Sequence, residues 1–263
     1  MSERRNVIIT GGASGIGRAV AEALHLKGHR ICVVDLNPDA VAAMQSTHSD
    51  DGWHFVVADA ADSIQAEQAV QEALSRFGHL DALFNNAGIG VGALRDDAEV
   101  NRPTIEELTP EIYLRFMSVN VLCAVAMTRA CLPHFRARSW GRIINNTTSY
   151  LTMLRVQPYG ATKSALESIS AVWADELKGT GITVNIVVPG GPTDTPMVKE
   201  IGLSRQEMMR PDIMTPPIEW LLSSEANGLT GRRFIAGRGD TGLSPAAAAA
   251  PGARGIAWPA LTG

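Results

Sequence analysis

The chain has few cysteines, few tyrosines and few lysines. Its 263 residues hold three cysteines, Cys32, Cys123 and Cys131, widely spaced. That spacing excludes a disulfide framework and a cysteine metal site, and reads as buried thiols in a reducing compartment. A formal net charge of −4 and a pI near 5.9 leave no electrostatic basis for binding nucleic acid or an anionic membrane. The Arg4-Arg5 pair is too short to change that. No apolar run approaches the roughly 18 residues that a membrane span needs. The chain passes from Met1 to the apolar run Val7–Thr10 without room for a signal-peptide core. These absences imply a cytoplasmic protein. Of the six histidines, His25 and His29 are one helical turn apart, but no further ligand accompanies them, so no metal site is expected.

What is present is a strand–helix rhythm. Hydrophobic residues make up 45% of the chain, ample for a sizeable core. Strand-like runs fall at Asn6–Thr10, Arg30–Asp35, His54–Ala58, Ala82–Asn85, Arg142–Asn145, Thr183–Val188 and Arg233–Ala236. Helical patterns fall at Gly17–Leu26, Ser63–Phe77, Glu111–Phe135 and Tyr159–Leu177. Strands alternating with helices imply right-handed crossovers and a parallel sheet covered on both faces. The strands are nearly all apolar, as a doubly covered sheet requires. The expected fold is a single doubly wound α/β domain over residues 1–242, its sheet seven-stranded and mostly parallel. Residues 243–263 form an Ala-, Pro- and Gly-rich tail, read as flexible or draped, with Trp258 as an anchor on a neighbouring subunit as the alternative. Gly88–Thr109 also breaks the rhythm and reads as an excursion beyond the strand ends.

Thr10-Gly-Gly-Ala-Ser-Gly-Ile-Gly17 lies between the first strand and the first helix. Glycines there let the backbone turn tightly and approach a pyrophosphate, while the helix start offers free N–H groups and a positive dipole end. Gly11, Ser14, Gly15, Ile16 and Gly17 are the candidate phosphate-facing residues. Asp35 ends the second strand, 18 residues past Gly17, where a carboxylate accepts from ribose hydroxyls and repels a 2′-phosphate. NAD is therefore expected over NADP. Asp35 could instead cap the helix near Pro38. Asp59, with Ala60, follows the third strand and could meet the adenine edge; Asp62 is the better cap for the next helix.

Tyr159 and Lys163 are separated by one helical turn and share a helix face. A phenol beside a fixed ammonium loses its proton more readily than a free tyrosine, whose pKa is about 10. Such a tyrosine exchanges protons with an alcohol or carbonyl near neutral pH. The other tyrosines, Tyr113 and Tyr150, have Met117 and Leu154 four residues on.

These motifs together resemble the short-chain dehydrogenase/reductase family, in its compact branch. The resemblance spans roughly residues 5 to 237 and rests on Thr10-Gly-x-x-x-Gly15-x-Gly17, Asn85-Asn-Ala-Gly88, Asn120 in Ser118-Val-Asn-Val, Tyr159-x-x-x-Lys163, and Pro189-Gly190 followed by Thr195. It implies Tyr159 as acid/base, Lys163 as the residue lowering its pKa and holding the nicotinamide ribose, and Asn120 as support for a proton-relay water. It implies Asn86, Ala87 and Gly88 beside the adenosine, and Pro189, Gly190 and Thr195 around the nicotinamide amide. The family's serine, 13 residues before the tyrosine, is replaced here by Asn146. The run Arg142–Ser149 instead puts Thr148 in the serine's place, with Ser149 as runner-up.

The resemblance implies reversible hydride transfer between NAD(H) and a secondary alcohol or ketone. It also implies a homotetramer or dimer paired through Glu111–Phe135 and Tyr159–Leu177. The altered serine leaves a second reading, a catalytically impaired NAD-binding regulatory or scaffold protein. A carbon–carbon-reducing or dehydratase-type member is a third. The substrate pocket is expected from Gly88–Arg102, Tyr150–Gln157 and Pro192–Pro211, made mostly apolar by Leu151, Met153, Leu154, Met197, Met208 and Met209, although core packing is the commoner role for any single methionine, with Arg155 either meeting an acidic group or facing water.

Overall fold

The computed structural model describes residues 3–198, 201–238 and 255–257. Seven strands form one sheet: β1 (Asn6–Thr10), β2 (Arg30–Asp35), β3 (Trp53–Val57), β4 (Ala82–Asn85), β5 (Gly141–Asn146), β6 (Ile182–Val188) and β7 (Arg233–Ile235). Their order is β3-β2-β1-β4-β5-β6-β7, and every neighbouring pair is parallel. Strand bounds match the sequence reading to within a residue at each end. Most of the tail read from sequence, including Trp258, lies outside the described residues.

Alternation along the strands builds two cores. Ile8 points into one, with Leu83, Ile143 and Val184, against α3 (Ser63–Phe77) and α5 (Cys123–Arg138). Val7 and Ile9 point into the other, with Phe84, Ile144 and Val187, against α1 (Gly15–Leu26) and α8 (Thr215–Leu222). Both sheet faces are thus dry, which is why the strands read as continuous apolar runs.

Local chemistry sets the helix ends. Asn37 caps α2 (Pro38–Gln45), accepting from Asp39 N and Ala40 N. Asp62 caps α3 by accepting from Ile64 N and Gln65 N, and Gly78 ends it at φ +82°, a left-handed turn that glycine adopts freely. Thr109 caps α4 (Pro110–Met117). A widened π turn, Ser118–Leu122, joins α4 to α5.

The stretch Pro110–Arg138 is long and apolar enough, by length and composition, to cross a membrane. It does not stand out as an uninterrupted apolar run because Glu111, Arg115 and Arg129 are spread along it. Half of its most apolar window is buried inside the protein, where Phe116, Met127 and Phe135 are fully enclosed.

The strand order reverses between β1 and β4, whose connections leave in opposite directions. A crevice opens there beyond the carboxyl ends of the strands, where ligands bind in open α/β sheets. The excursion after β4 crosses this crevice with one short 3-10 turn, Val91–Ala93. A helix not anticipated from sequence, α6 (Tyr150–Arg155), stands beside it, ahead of α7 (Tyr159–Glu176).

Candidate active site

The crevice is a cleft of ≈ 830 Å³. One end is the loop between β1 and α1. Gly11 has φ +61° and Gly15 φ +51°. A Cβ on Gly11 would lie 2.9 Å from the Ala87 Cα, and one on Gly17 would lie 2.1 Å from the Gly11 carbonyl oxygen. The loop is therefore glycine by necessity of close approach. Asn86 ties it to β4: its Nδ2 donates to the Thr10 and Gly11 carbonyls at 3.1 and 3.2 Å. Thr10 Oγ1 accepts from the Asn86 and Ala87 amides at 3.0 and 3.1 Å. Ser14 makes no side-chain bond to the first turn of α1, so that turn keeps its N–H groups for another acceptor.

Gly11, Ser14, Gly15, Ile16, Asn86, Ala87 and Gly88 line the cleft. Gly17 does not; it packs under the loop against Gly11 and Asn86. Asp35 lines the cleft, its two oxygens accepting from the Ala13 and Asn37 amides at 3.0 Å each. It is not a helix cap, since Asn37 fills that position. Asp59 and Ala60 also line the cleft, Asp59 accepting from Ala61 N at 2.9 Å.

At the other end, Tyr159 and Lys163 project from the first turns of α7 into the cleft wall. Thr148, just past β5, lines the cleft with Tyr159, and its hydroxyl acts to lower the phenol's pKa. Ser149 instead caps α6, where its Oγ accepts from Thr152 N at 3.0 Å. Both hydroxyls line the cleft, and only that of Ser149 is also a helix cap.

Asn120 does not reach the cleft surface. Its Oδ1 accepts from Ile89 N at 2.8 Å, and its Nδ2 donates to Ile89 O at 3.1 Å and Thr162 Oγ1 at 3.0 Å. It clamps the start of the excursion to α7, and the π turn is what aims it there. Lys163 Nζ donates to the Asn146 carbonyl at 2.9 Å. Asn146 Nδ2 in turn donates to Asn86 Oδ1 at 3.1 Å, which links the phosphate end to the lysine.

Burial dominates the electrostatics of the pair. Burial pushes the Tyr159 phenol up to about 12, with the Thr148 hydroxyl pulling it down and the Glu99 carboxylate adding to the rise. Burial lowers Lys163 to about 8. Lys163 Nζ lies 5.9 Å from the Tyr159 ring centre.

Pro189, Gly190 and Thr195 line the cleft after β6. Gly190 has φ +100°, and a Cβ there would lie 2.9 Å from Ile235 Cγ2. Thr195 faces Gly15 across the mouth, 3.2 Å from where a Cβ would stand. Of the apolar residues expected around a substrate, Leu151 and Met197 line the cleft, while Met153, Leu154, Met208 and Met209 do not. Met153 and Leu154 border a separate hollow, and Met209 packs beside Gly191 and Gly237. Arg155 is replaced in the cleft wall by Arg102 and Arg115, together with Glu99. Glu99 and Arg102 fall in the Gly88–Arg102 excursion expected to wall the pocket, whereas Arg115, on α4, falls outside the expected segments. His25 Nε2 lies 3.0 Å from Asp50 Oδ2, and His29 Nδ1 accepts from Arg5 N, so the two histidines serve different partners.

Comparison with known proteins agrees with this geometry. The family model described as short chain dehydrogenase matches residues 5–206. An uncharacterized oxidoreductase of Mycobacterium tuberculosis (strain H37Rv) is 33% identical over 249 residues, covering 89% of this chain and 96% of that protein. The D-beta-hydroxybutyrate dehydrogenase of Cupriavidus necator is 30% identical over 204 residues, covering 76% of this chain and 75% of its own. Among solved structures, a 3-ketoacyl-(acyl-carrier-protein) reductase from Brucella melitensis, complexed with NADH, superposes with a TM-score of 0.75 at 28% identity. That match covers 87% of this chain and 95% of the reductase. With its parallel sheet, its cleft at the strand-order reversal and these matches, the chain is an oxidoreductase of the short-chain dehydrogenase family.

Proposed function

We propose that the protein transfers hydride reversibly between NAD(H) and a secondary alcohol or ketone. The convergence of Thr148, Tyr159 and Lys163 on the wall of one cleft is the observation that carries this reading. The cleft's other end fits a dinucleotide: glycines sit where a Cβ would collide, the first turn of α1 lacks a side-chain cap, and Asp35 suits unphosphorylated ribose hydroxyls. When bound, the dinucleotide supplies the hydride chemistry; its binding would fall to the Gly11–Ile16 loop, Asp35, Asp59, Asn86–Gly88, Lys163, and Pro189, Gly190 and Thr195.

The chain's own residues manage the proton. Thr148 Oγ1 donates to the substrate oxygen and steadies negative charge there. Tyr159 Oη takes the hydroxyl proton in oxidation and returns it in reduction. A phenol raised by burial rests protonated, which suits it as the acid that delivers a proton to a ketone. Lys163 serves Tyr159 through charge once its ammonium is turned toward the phenol. Asn120 fixes the excursion and α7 relative to one another and so holds the site's geometry.

Assembly into a dimer or tetramer is supported by Leu114 and Leu122, 68% and 49% exposed, on the α4–α5 helix and Val172, 61% exposed, on α7. The deciding experiment is a screen of secondary alcohols and ketones with NAD(H) and NADP(H) in parallel. Turnover with NAD(H) that is lost in Tyr159→Phe supports the reading; dinucleotide binding without any turnover across the panel overturns it.

A further inference from the structure

Thr148 is gripped from behind by an ion pair that the proposed chemistry does not use. Glu167 lies one turn beyond Lys163 on α7 and is 0% exposed; Arg233 opens β7 and is 4% exposed. Arg233 Nε stands 3.1 Å from Glu167 Oε1, an ion-pair contact rather than an aligned hydrogen bond. The pair holds both residues that follow β5. Thr147 Oγ1 donates to Glu167 Oε2 at 2.8 Å, and Arg233 Nη2 donates to the Thr148 carbonyl. The same guanidinium stacks 4.2 Å from the ring centre of Tyr150, the first residue of α6.

A third element closes this cluster. The short segment of residues 255–257 returns against the edge of the sheet. Gly255 bridges Arg232, Ile256 N donates to Gly231 O at 3.1 Å, and the Ile256 side chain enters the α3–α5 core. Ala257 N then donates to Glu167 Oε1 at 3.2 Å, and Ala257 O accepts from the Tyr150 hydroxyl at 2.6 Å. Ala257 holds φ +63°, a conformation that alanine keeps only where its surroundings impose it.

A buried charge pair tolerates little loss. Removing one donor leaves a carboxylate short of partners where water is excluded, and the pair must shift or admit water. Any shift is passed to Thr148 through its carbonyl. We propose that Glu167 and Arg233 position Thr148, and that the 255–257 segment locks that pair, so that this segment sets the geometry of the cleft's hydroxyl donor. This rests on the reading above, in which Thr148 bonds the reacting oxygen.

The test uses the full chain with Glu167→Gln, Ala257→Pro and, as the conservative control, Ala257→Gly. Proline removes the Ala257 N–H and forbids its positive φ, whereas glycine keeps the N–H and accepts that φ. Amide hydrogen exchange over residues 147–150 is read first, since it needs no substrate. Exchange there rises about tenfold in Glu167→Gln and Ala257→Pro, stays at the parent rate in Ala257→Gly, and does not change in the β1–α1 loop. On a substrate found by the screen, kcat falls about 10- to 100-fold in the first two variants while dinucleotide Kd holds. Unchanged exchange at 147–150, a uniform rise across the sheet, or faster exchange with unchanged kcat overturns the proposal. A parent protein inert on the whole panel overturns the oxidoreductase reading instead, and the exchange data still decide whether the segment anchors Thr148.

Discussion

Lys163 donates its Nζ proton to the Asn146 carbonyl oxygen at 2.9 Å, and so the ammonium is engaged with the β5 strand end rather than with the phenol one turn earlier. Burial acts on both partners in the same sense, toward neutrality: Lys163 down to about 8 and Tyr159 up to about 12.

The lysine makes stability pH-dependent in a definite direction. Its ordinary value is 10.5 and its folded value about 8. Between these, the unfolded chain binds more protons at this site than the folded one, so stability rises with pH across that window. Below about 8 both forms are protonated and the full cost of burying the charge is present. Above the ordinary tyrosine value of 10, Tyr159 acts with the opposite sign, since the folded phenol keeps its proton up to about 12. Urea midpoints measured from about pH 7 to about pH 9.5 should climb in the parent protein and climb less in Lys163→Met. Equal slopes in the two proteins refute the assignment.

Tyr159→Phe removes the hydroxyl and leaves the ring. Loss of a positioned acid/base lowers kcat by about 10²- to 10⁴-fold. Dinucleotide Kd, by fluorescence titration, should stay within about twofold, because the lost group acts on the reacting atoms and contributes little to ground-state binding. A variant that keeps its parent's turnover rules out the proton path.

Thr148 and Ser149 separate by the same logic. Thr148→Val keeps shape and discards the hydroxyl, and kcat should fall about 10²- to 10³-fold, as for a lost oxyanion donor; Thr148→Ser should recover most of it. Ser149→Ala deletes the cap of α6, which costs about 1 kcal/mol of stability and leaves kcat within about twofold. Equal kcat losses at the two positions would show that Thr148 is not the distinct hydroxyl donor.

The sheet was legible because its strands are apolar on both faces and its crossovers carry strong periodicity. The glycine loop, Asp35 and the Tyr159–Lys163 pair were legible because each depends on local spacing. The acidity of Tyr159 was not. Spacing gives proximity, but whether the ammonium faces the phenol or a carbonyl depends on where β5 ends. The excursion Gly88–Arg102 was legible as pocket wall, but not that Glu99 and Arg102 in particular face inward, since a polar stretch without periodicity does not announce which side chains do; Arg115, on α4, was not marked at all. The Glu167–Arg233 pair joins residues 66 apart in sequence, and no local pattern connects them. Met208 and Met209 lie outside the cleft lining, the core-filling alternative that the sequence left open for any single methionine.

The proposed preference for NAD turns on Asp35. Its Oδ2 holds Ala13 N and its Oδ1 holds Asn37 N, both at 3.0 Å, so alanine would loosen the loop as well as remove the charge. Asp35→Asn is the cleaner change, since the amide oxygen still accepts one of these bonds while the negative charge is gone. A charge-assisted hydrogen bond to a ribose hydroxyl contributes about 1.5–3 kcal/mol, so NAD affinity should fall at least about tenfold. Repulsion of a 2′-phosphate disappears in the same step, so NADP affinity should hold or improve. The ratio of the two Kd values should therefore move toward NADP by roughly 100-fold. Parallel titrations of parent and variant with both dinucleotides measure it. If the parent already prefers NADP, or the ratio does not move, the carboxylate at 35 is a loop fastener and does not discriminate between the cofactors.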